Sequence, residues 1–320
     1  MVALVAAGAA CGFSKDAIKQ TAGSSGQDTS AAASGAGTDR SAGDMVTLLS
    51  AGDGSRSTLR LRLHKGDRAT TRFVLKLALR TTINGQTTSV DSPPVYEDLA
   101  TEVLDATPEA STIRFTVVDA GAEADPLSTD SRSSDLASTE NAALQKLRGL
   151  GGTVTMNDRA VVTSSRLQIP GTVDASTHST LQQLQEQFVQ LSRPLPTEPV
   201  GLGARWTVDQ PITVNGISVR QRATYRLAAR HGNRYSLDIS GDQTAKLGPA
   251  KLPNMPSEDK ALITGWKLTI DGSSDLDLTR VLPDTTTAHS AGDMSFRVEA
   301  GPDRGTLSQH LDLRLTLQRR

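Results

Sequence analysis

Leu59, Leu61 and Leu63 alternate with Arg60, Arg62 and His64. The same two-residue period returns at Phe73/Leu75/Leu77/Leu79, Ile113/Phe115/Val117, Tyr235/Leu237/Ile239, Leu276/Leu278 and Leu311/Leu313/Leu315/Leu317. Successive side chains of a strand point to opposite faces, so this alternation predicts strands with one dry and one wet face, the habit of antiparallel sheets. Asn84-Gly85, Asn215-Gly216 and Asp271-Gly272 predict two-residue turns, because Asn, Asp and Gly tolerate positive φ. The stretch 301–305, Gly-Pro-Asp-Arg-Gly, predicts a longer turn before the last strand.

Two segments change to a helical period. Leu136 to Leu150 carries Leu144, Leu147 and Leu150 at three-residue spacing and ends at Gly151-Gly152. Leu181, Leu184, Phe188 and Leu191 form a single apolar stripe with glutamines on the other faces, and Pro194 ends it. Both are expected to pack as amphipathic helices on the sheet, with a lid or partner-binding role as the alternative for the second. Val154–Asp158 also matches Leu268–Gly272, and Arg166–Pro170 lines up with Arg280–Pro283, which suggests an internal duplication. The expected fold is therefore mainly β within the α+β class: a large curved antiparallel sheet or open barrel from two related halves, with the two helices packed on it.

The N-terminus changes the picture from fold to location. Residues 2–10 form an apolar run that ends at Cys11, the single cysteine of the chain. The run is too short to span a bilayer, which takes about 20 residues, and fits the apolar core of a signal peptide. With small residues before Cys11 and a polar tract after it, the segment looks like a bacterial lipoprotein processing site, at which the cysteine becomes the lipidated end. Residues 14–44 are rich in Ser, Gly, Ala, Thr and Asp, with Ile18 the one large apolar residue. Such a tract cannot bury enough surface to offset its chain entropy and reads as a disordered tether of about 30 Å. The expected organisation is a signal segment over 1–11, a tether over 12–45, a first β-rich half with both helices over 46–193 and a second half over 194–320. One continuous domain over the two halves is the alternative.

Composition narrows the function. The net charge is −1, and no basic run carries interleaved aromatics, so nucleic acid is not an expected partner. Aromatics are 3% of the chain, which weighs against sugar-stacking platforms. The five histidines are scattered without ligand spacing, and Asp271, Asp275 and Asp277 lack the pattern of a calcium loop, so neither a metal nor another cofactor is expected. Gly201-x-Gly203 precedes a strand and not a helix, which removes the dinucleotide reading. No nucleophile elbow is present, and no catalytic residue is assigned; the chain is not expected to be an enzyme.

The chain resembles a family of uncharacterised bacterial lipoproteins. The resemblance lies in Leu63-His64-Lys65-Gly66-Asp67, in the stretch from Pro194-Leu195-Pro196 through Gly201-Leu202-Gly203-Ala204-Arg205-Trp206, and in Asp271-Gly272 followed by Asp277-Leu278-Thr279-Arg280-Val281-Leu282-Pro283. It implies an exported, lipid-anchored, β-rich protein without an assigned reaction. The expected function is a binding or carrier module for an apolar or amphiphilic ligand, attached to the outer face of the cytoplasmic membrane or cell envelope through Cys11. Trp206, Trp266, Phe188 and Leu184 are the candidate ligand-lining residues, although a Trp in a β domain is commonly a core anchor. The alternative is a structural or interaction lipoprotein of the envelope with no ligand cavity. Arg60/Arg62 and Arg220/Arg222 on wet strand faces would suit an acidic partner.

Overall fold

The computed structural model describes residues 45–123, 138, 141–142, 144–168, 193–214, 217–250, 259–300 and 303–320. The chain is nearly all β. Val46–Ser50 (β1) is the first strand among the described residues and pairs with Arg205–Val214 (β10) at one edge of a 14-stranded sheet. From β10 the sheet runs through Ile217–His231 (β11), Arg234–Ala245 (β12), Lys260–Asp277 (β14), Thr285–Ala300 (β15) and Asp303–Arg319 (β16). It continues without a break into Arg68–Ile83 (β3), Val95–Ala106 (β5), Ala110–Ala122 (β6), Gly151–Asn157 (β7) and Val162–Gln168 (β8). Gln86–Asp91 (β4) pairs with β3 and Gly248–Ala250 (β13) with β14, while Asp53–Ser57 (β2) and Val200–Leu202 (β9) form a separate small ladder. Every pairing is antiparallel, so the sheet is two meanders joined where the last strand, β16, meets β3.

The alternation carries through. On β11, Val219, Gln221, Ala223, Tyr225 and Leu227 are buried, and Arg220, Arg222 and Arg226 point the other way. One face of the sheet, the inner face, holds three apolar clusters. The first joins Ile212, Trp266, Leu268, Phe296 and Leu313, the second Ile113, Phe115, Val154 and Leu282, and the third Trp206, Tyr225, Leu237 and Leu278.

The sheet curls. The Leu61 N–H donates to the Asp158 carbonyl beyond β7 at 2.7 Å, and the next N–H, of Arg62, donates to the Leu278 carbonyl beyond β14 at 2.7 Å. Strands β14 and β7 lie far apart in the sheet order, yet one extended segment bridges them. That segment contains Leu59, Leu61 and Leu63, read above as a strand. It forms no ladder because its donors go to two different neighbours, and Leu59 and Leu63 are buried as a strap across the two wings.

Two further expectations are corrected. The predicted α+β layout with two amphipathic helices packed on the sheet gives way to a nearly all-β chain. Of the predicted helix over Leu136–Leu150, the described residues Ser138, Asn141, Ala142 and Leu144 are helical and lead into a short 3-10 turn at Gln145–Leu147, where Leu147 and Leu150 bury against the second cluster. Their spacing suits one turn against a strand as well as it suits a helix. The segment Leu181–Leu191 lies outside the described residues. The turn expected at Asp271-Gly272 is mid-strand in β14: Asp271 pairs with His289, and Gly272 with Ala288. Gly272 is there for close approach, since a Cβ would run into the backbone of Thr287 and Ala288. Asn84-Gly85 does turn between β3 and β4, with both φ values positive at 49° and 87°. Asn215-Gly216 lies outside the described residues.

Candidate functional site on the inner face

The inner face holds a polar strip across its apolar field. Gln221 on β11 and Gln243 on β12 are direct cross-strand partners, both fully buried, and Gln243 Nε2 donates to Gln221 Oε1 at 2.7 Å. Among the described residues that single bond leaves Gln221 Nε2 and Gln243 Oε1 without a partner, and Ser290 Oγ, Tyr225 Oη and Trp266 Nε1 are also buried without one. Register places the Gln pair and Ser290 on one face: Gln243 stands opposite Leu268, Leu268 opposite Gly292, and Ser290 is two residues from Gly292 on β15, with Leu268 and Ile270 of β14 between them. Tyr225 is four residues from Gln221 on β11, in the third cluster, and Trp266 lies in the first. An unpartnered buried polar atom costs about 1–3 kcal/mol, so this strip is expensive as mere packing.

A second polar group lies where the third cluster meets the second. A narrow crevice of about 30 Å³ is lined by Leu61, Met156, Tyr235, Leu276 and Leu282 with Arg193, Asp277 and Arg280. Arg193 is 4% exposed, and its Nη2 donates to Thr286 Oγ1 at 3.0 Å, which in turn contacts Ser274 Oγ at 2.8 Å. Burial pulls the Arg193 guanidinium below its ordinary pKa, against the opposing influence of Tyr225 and Tyr235. Burial also lifts the Tyr225 phenol to about 12, and it raises that of Tyr235 as well. At Asp277 burial pushes the carboxyl up. Hydrogen bonds from the Thr279 hydroxyl and N–H, with Arg280 and Arg234 nearby, outweigh that and hold it below the ordinary range. The crevice has room for water only.

The two tryptophans are not brought together. Trp206 sits in the third cluster, stacked on Tyr225 with ring centroids 5.7 Å apart, and its Nε1 donates to the Pro194 carbonyl at 3.2 Å. Trp266 sits in the first cluster, edge-on to Phe296 at 6.4 Å. Phe188, Leu184 and Cys11 lie outside the described residues. Gln221, Gln243, Ser290 and Arg193 were missed, although the period-two alternation of β11 assigns Gln221 to the same face as Val219 and Ala223. Among the described residues no cluster of His, Cys, Asp or Glu is arranged to hold a metal ion, and no helix is long and apolar enough to cross a membrane.

The fold and its inner face define an antiparallel meander sheet with a polar strip in its core. No family model matches the chain, and no curated protein matches it. Among solved structures it overlaps OccK11 (OpdR) of Pseudomonas aeruginosa at 7% identity and TM-score 0.21, over 81% of this chain and 98% of that one. It overlaps OpdL of the same organism at 8% identity and TM-score 0.18, over 79% and 99%. An outer membrane channel from Pseudomonas putida F1 overlaps at 10% identity and TM-score 0.16, over 80% and 97%. TM-scores this low do not define a shared fold.

Proposed function

We propose that this chain is an exported lipoprotein, held on the outer face of the cytoplasmic membrane or cell envelope through lipidated Cys11, and that it binds an apolar or amphiphilic ligand along the inner face of its sheet. The observation that carries the ligand reading is the set of unpartnered polar atoms on Gln221, Gln243, Ser290 and Tyr225, fully buried beside apolar clusters. A face that served only as packing would be more stable with apolar side chains there. An amphiphile supplies both halves of the match, an apolar body for the leucines and a polar group for the strip.

The test is native mass spectrometry of the full chain carrying Cys11→Ser, purified from a lipid-rich bacterial host. An added mass that organic extraction removes is the expected result. A bare polypeptide mass, unchanged after incubation with envelope lipids, would replace this reading with that of an interaction protein. The anchor is tested separately. Palmitate is expected to label the wild-type chain and not Cys11→Ser, and equal labelling of the two would remove the anchor.

A further inference from the structure

The outer face of the sheet carries a basin of about 560 Å³ lined by Arg68, Arg114, Arg319 and Arg320, with Glu102 the one side-chain carboxylate in its lining. The register explains its form. Arg68, Glu102 and Arg114 stand abreast on β3, β5 and β6. The next row on that face is Thr70, Ala100 and Thr116, all small, and the row beyond begins with Arg72 and Asp98. A floor of small side chains thus lies between two charged rows. The end of the chain borders it, where the Arg320 N–H donates to the Thr70 carbonyl at 2.9 Å.

The ion pairs leave positive charge over. Glu102 takes Arg68 at 2.7 Å and Arg114 at 3.1 Å. Asp98 takes Arg72 at 2.7 Å and Arg320 at 3.4 Å. Asp284 takes Arg280 closely and Arg319 at 3.6 Å. Each carboxylate therefore serves two guanidiniums, one near and one farther. The three farther ones, Arg114, Arg320 and Arg319, all line the basin. A fourth carboxylate, Glu123, approaches Arg72 at 3.6 Å and does not line it. The Thr70 and Thr116 hydroxyls add neutral donors at the floor.

We infer that this basin binds a phosphate-type oxyanion, either a free phosphate compound or the phosphate of a lipid headgroup. Guanidiniums match oxyanions through paired N–H donors, and here they come from three directions: β3, β6 and the end of β16. That arrangement suits a tetrahedral anion with oxygens on several sides better than a flat carboxylate. The open basin also leaves room for the remainder of an ester. The site is distinct from the inner-face strip, since the two share no lining residue.

The probe is inorganic pyrophosphate, titrated calorimetrically into the full chain carrying Cys11→Ser at about 20 mM salt, where screening is weak. Saturable binding is expected. Arg114→Gln and Arg320→Gln should each weaken it about fivefold or more, while Arg226→Gln, whose partner is Asp238 on a distant part of the outer face, should leave it unchanged. Absence of saturation, or an equal loss in Arg226→Gln, would overturn the proposal. Circular dichroism of each variant shows that the fold is kept. Vesicles of phosphatidylcholine with and without phosphatidic acid then separate the sources. Binding that needs phosphatidic acid and Arg114 identifies a lipid headgroup, and pyrophosphate binding without vesicle binding identifies a free anion.

Discussion

Glu97 faces Phe73 on one neighbouring strand and Ala120 on the other, and burial alone lifts its carboxyl to about 7. No hydrogen bond or charge partner offsets that burial among the described residues. The folded chain therefore holds this proton more tightly than the unfolded chain does. The stability linked to it is full below the ordinary value of 4.5 and is lost as pH rises through about 7. The loss is at most about 3 kcal/mol, and less in proportion to the water that reaches this half-buried side chain. Glu97→Gln should flatten the fall in stability between about pH 5 and 8 and gain about 1–3 kcal/mol at the upper end, read by urea unfolding at both values. An unchanged slope would show that the carboxyl is hydrated in solution. The Arg-paired acids work in another window. Arg220 and Arg222 hold Asp209, and Arg148 holds Asp119, below the usual carboxylate range, so their contribution fades only in acid. Arg220 and Arg222 looked free for an acidic partner in the sequence. Cross-strand pairing within the β10–β11 hairpin gives them Asp209 instead, 11 and 13 residues away.

At the scale of strands, what was legible followed the local period. The alternation at Phe73–Leu79, Ile113–Val117, Tyr235–Ile239 and Leu311–Leu317 became β3, β6, β12 and β16. The same period at Leu59–Leu63 became a strap, because a strand also needs a neighbour that runs alongside it, and alternation carries no information about neighbours. Asp271-Gly272 failed as a turn for a related reason: its glycine answers to a strand across the sheet and not to its own chain. The candidate site was legible only in part. Trp206 and Trp266 lie in β10 and β14, and their separation into different clusters depends on the long-range order of those strands. Gln221 and Gln243 pair across β11 and β12, and their value lies in that pairing. Replacing both by Leu keeps the volume and removes the unpartnered amide atoms. The double variant should be more stable by about 1–3 kcal/mol in urea unfolding and should lose any amphiphile the parent chain carries. A less stable variant would show that the Gln–Gln hydrogen bond is worth more than its two unmet groups cost.

The whole molecule depends on the place where its two meanders meet. Strands β10 to β15 lie on one side of β16 and strands β3 to β8 on the other, and among the described residues the β16–β3 ladder is the sheet's only continuity between them. The N-terminal strands strengthen this interdependence, since β1 and β2 pair with β10 and β9 before the strap carries the chain across to β3. Gln309 and Thr81, in contact at this ladder, are 228 residues apart, so the joint forms late and against a large loop-closure cost. Four leucines of β16, Leu307, Leu311, Leu313 and Leu317, are buried there. At about 1.5–3 kcal/mol each they contribute on the order of 6–12 kcal/mol, as much as the whole net stability of an ordinary domain. Removing residues 303–320 should therefore cost more than one strand of packing. It opens the edges of β15 and β3 together and should abolish the cooperative unfolding transition seen by circular dichroism. A shortened chain that still unfolds in a single sharp step near the full-length midpoint would mean that one wing holds its own core, and that β16 joins two finished units instead of completing one.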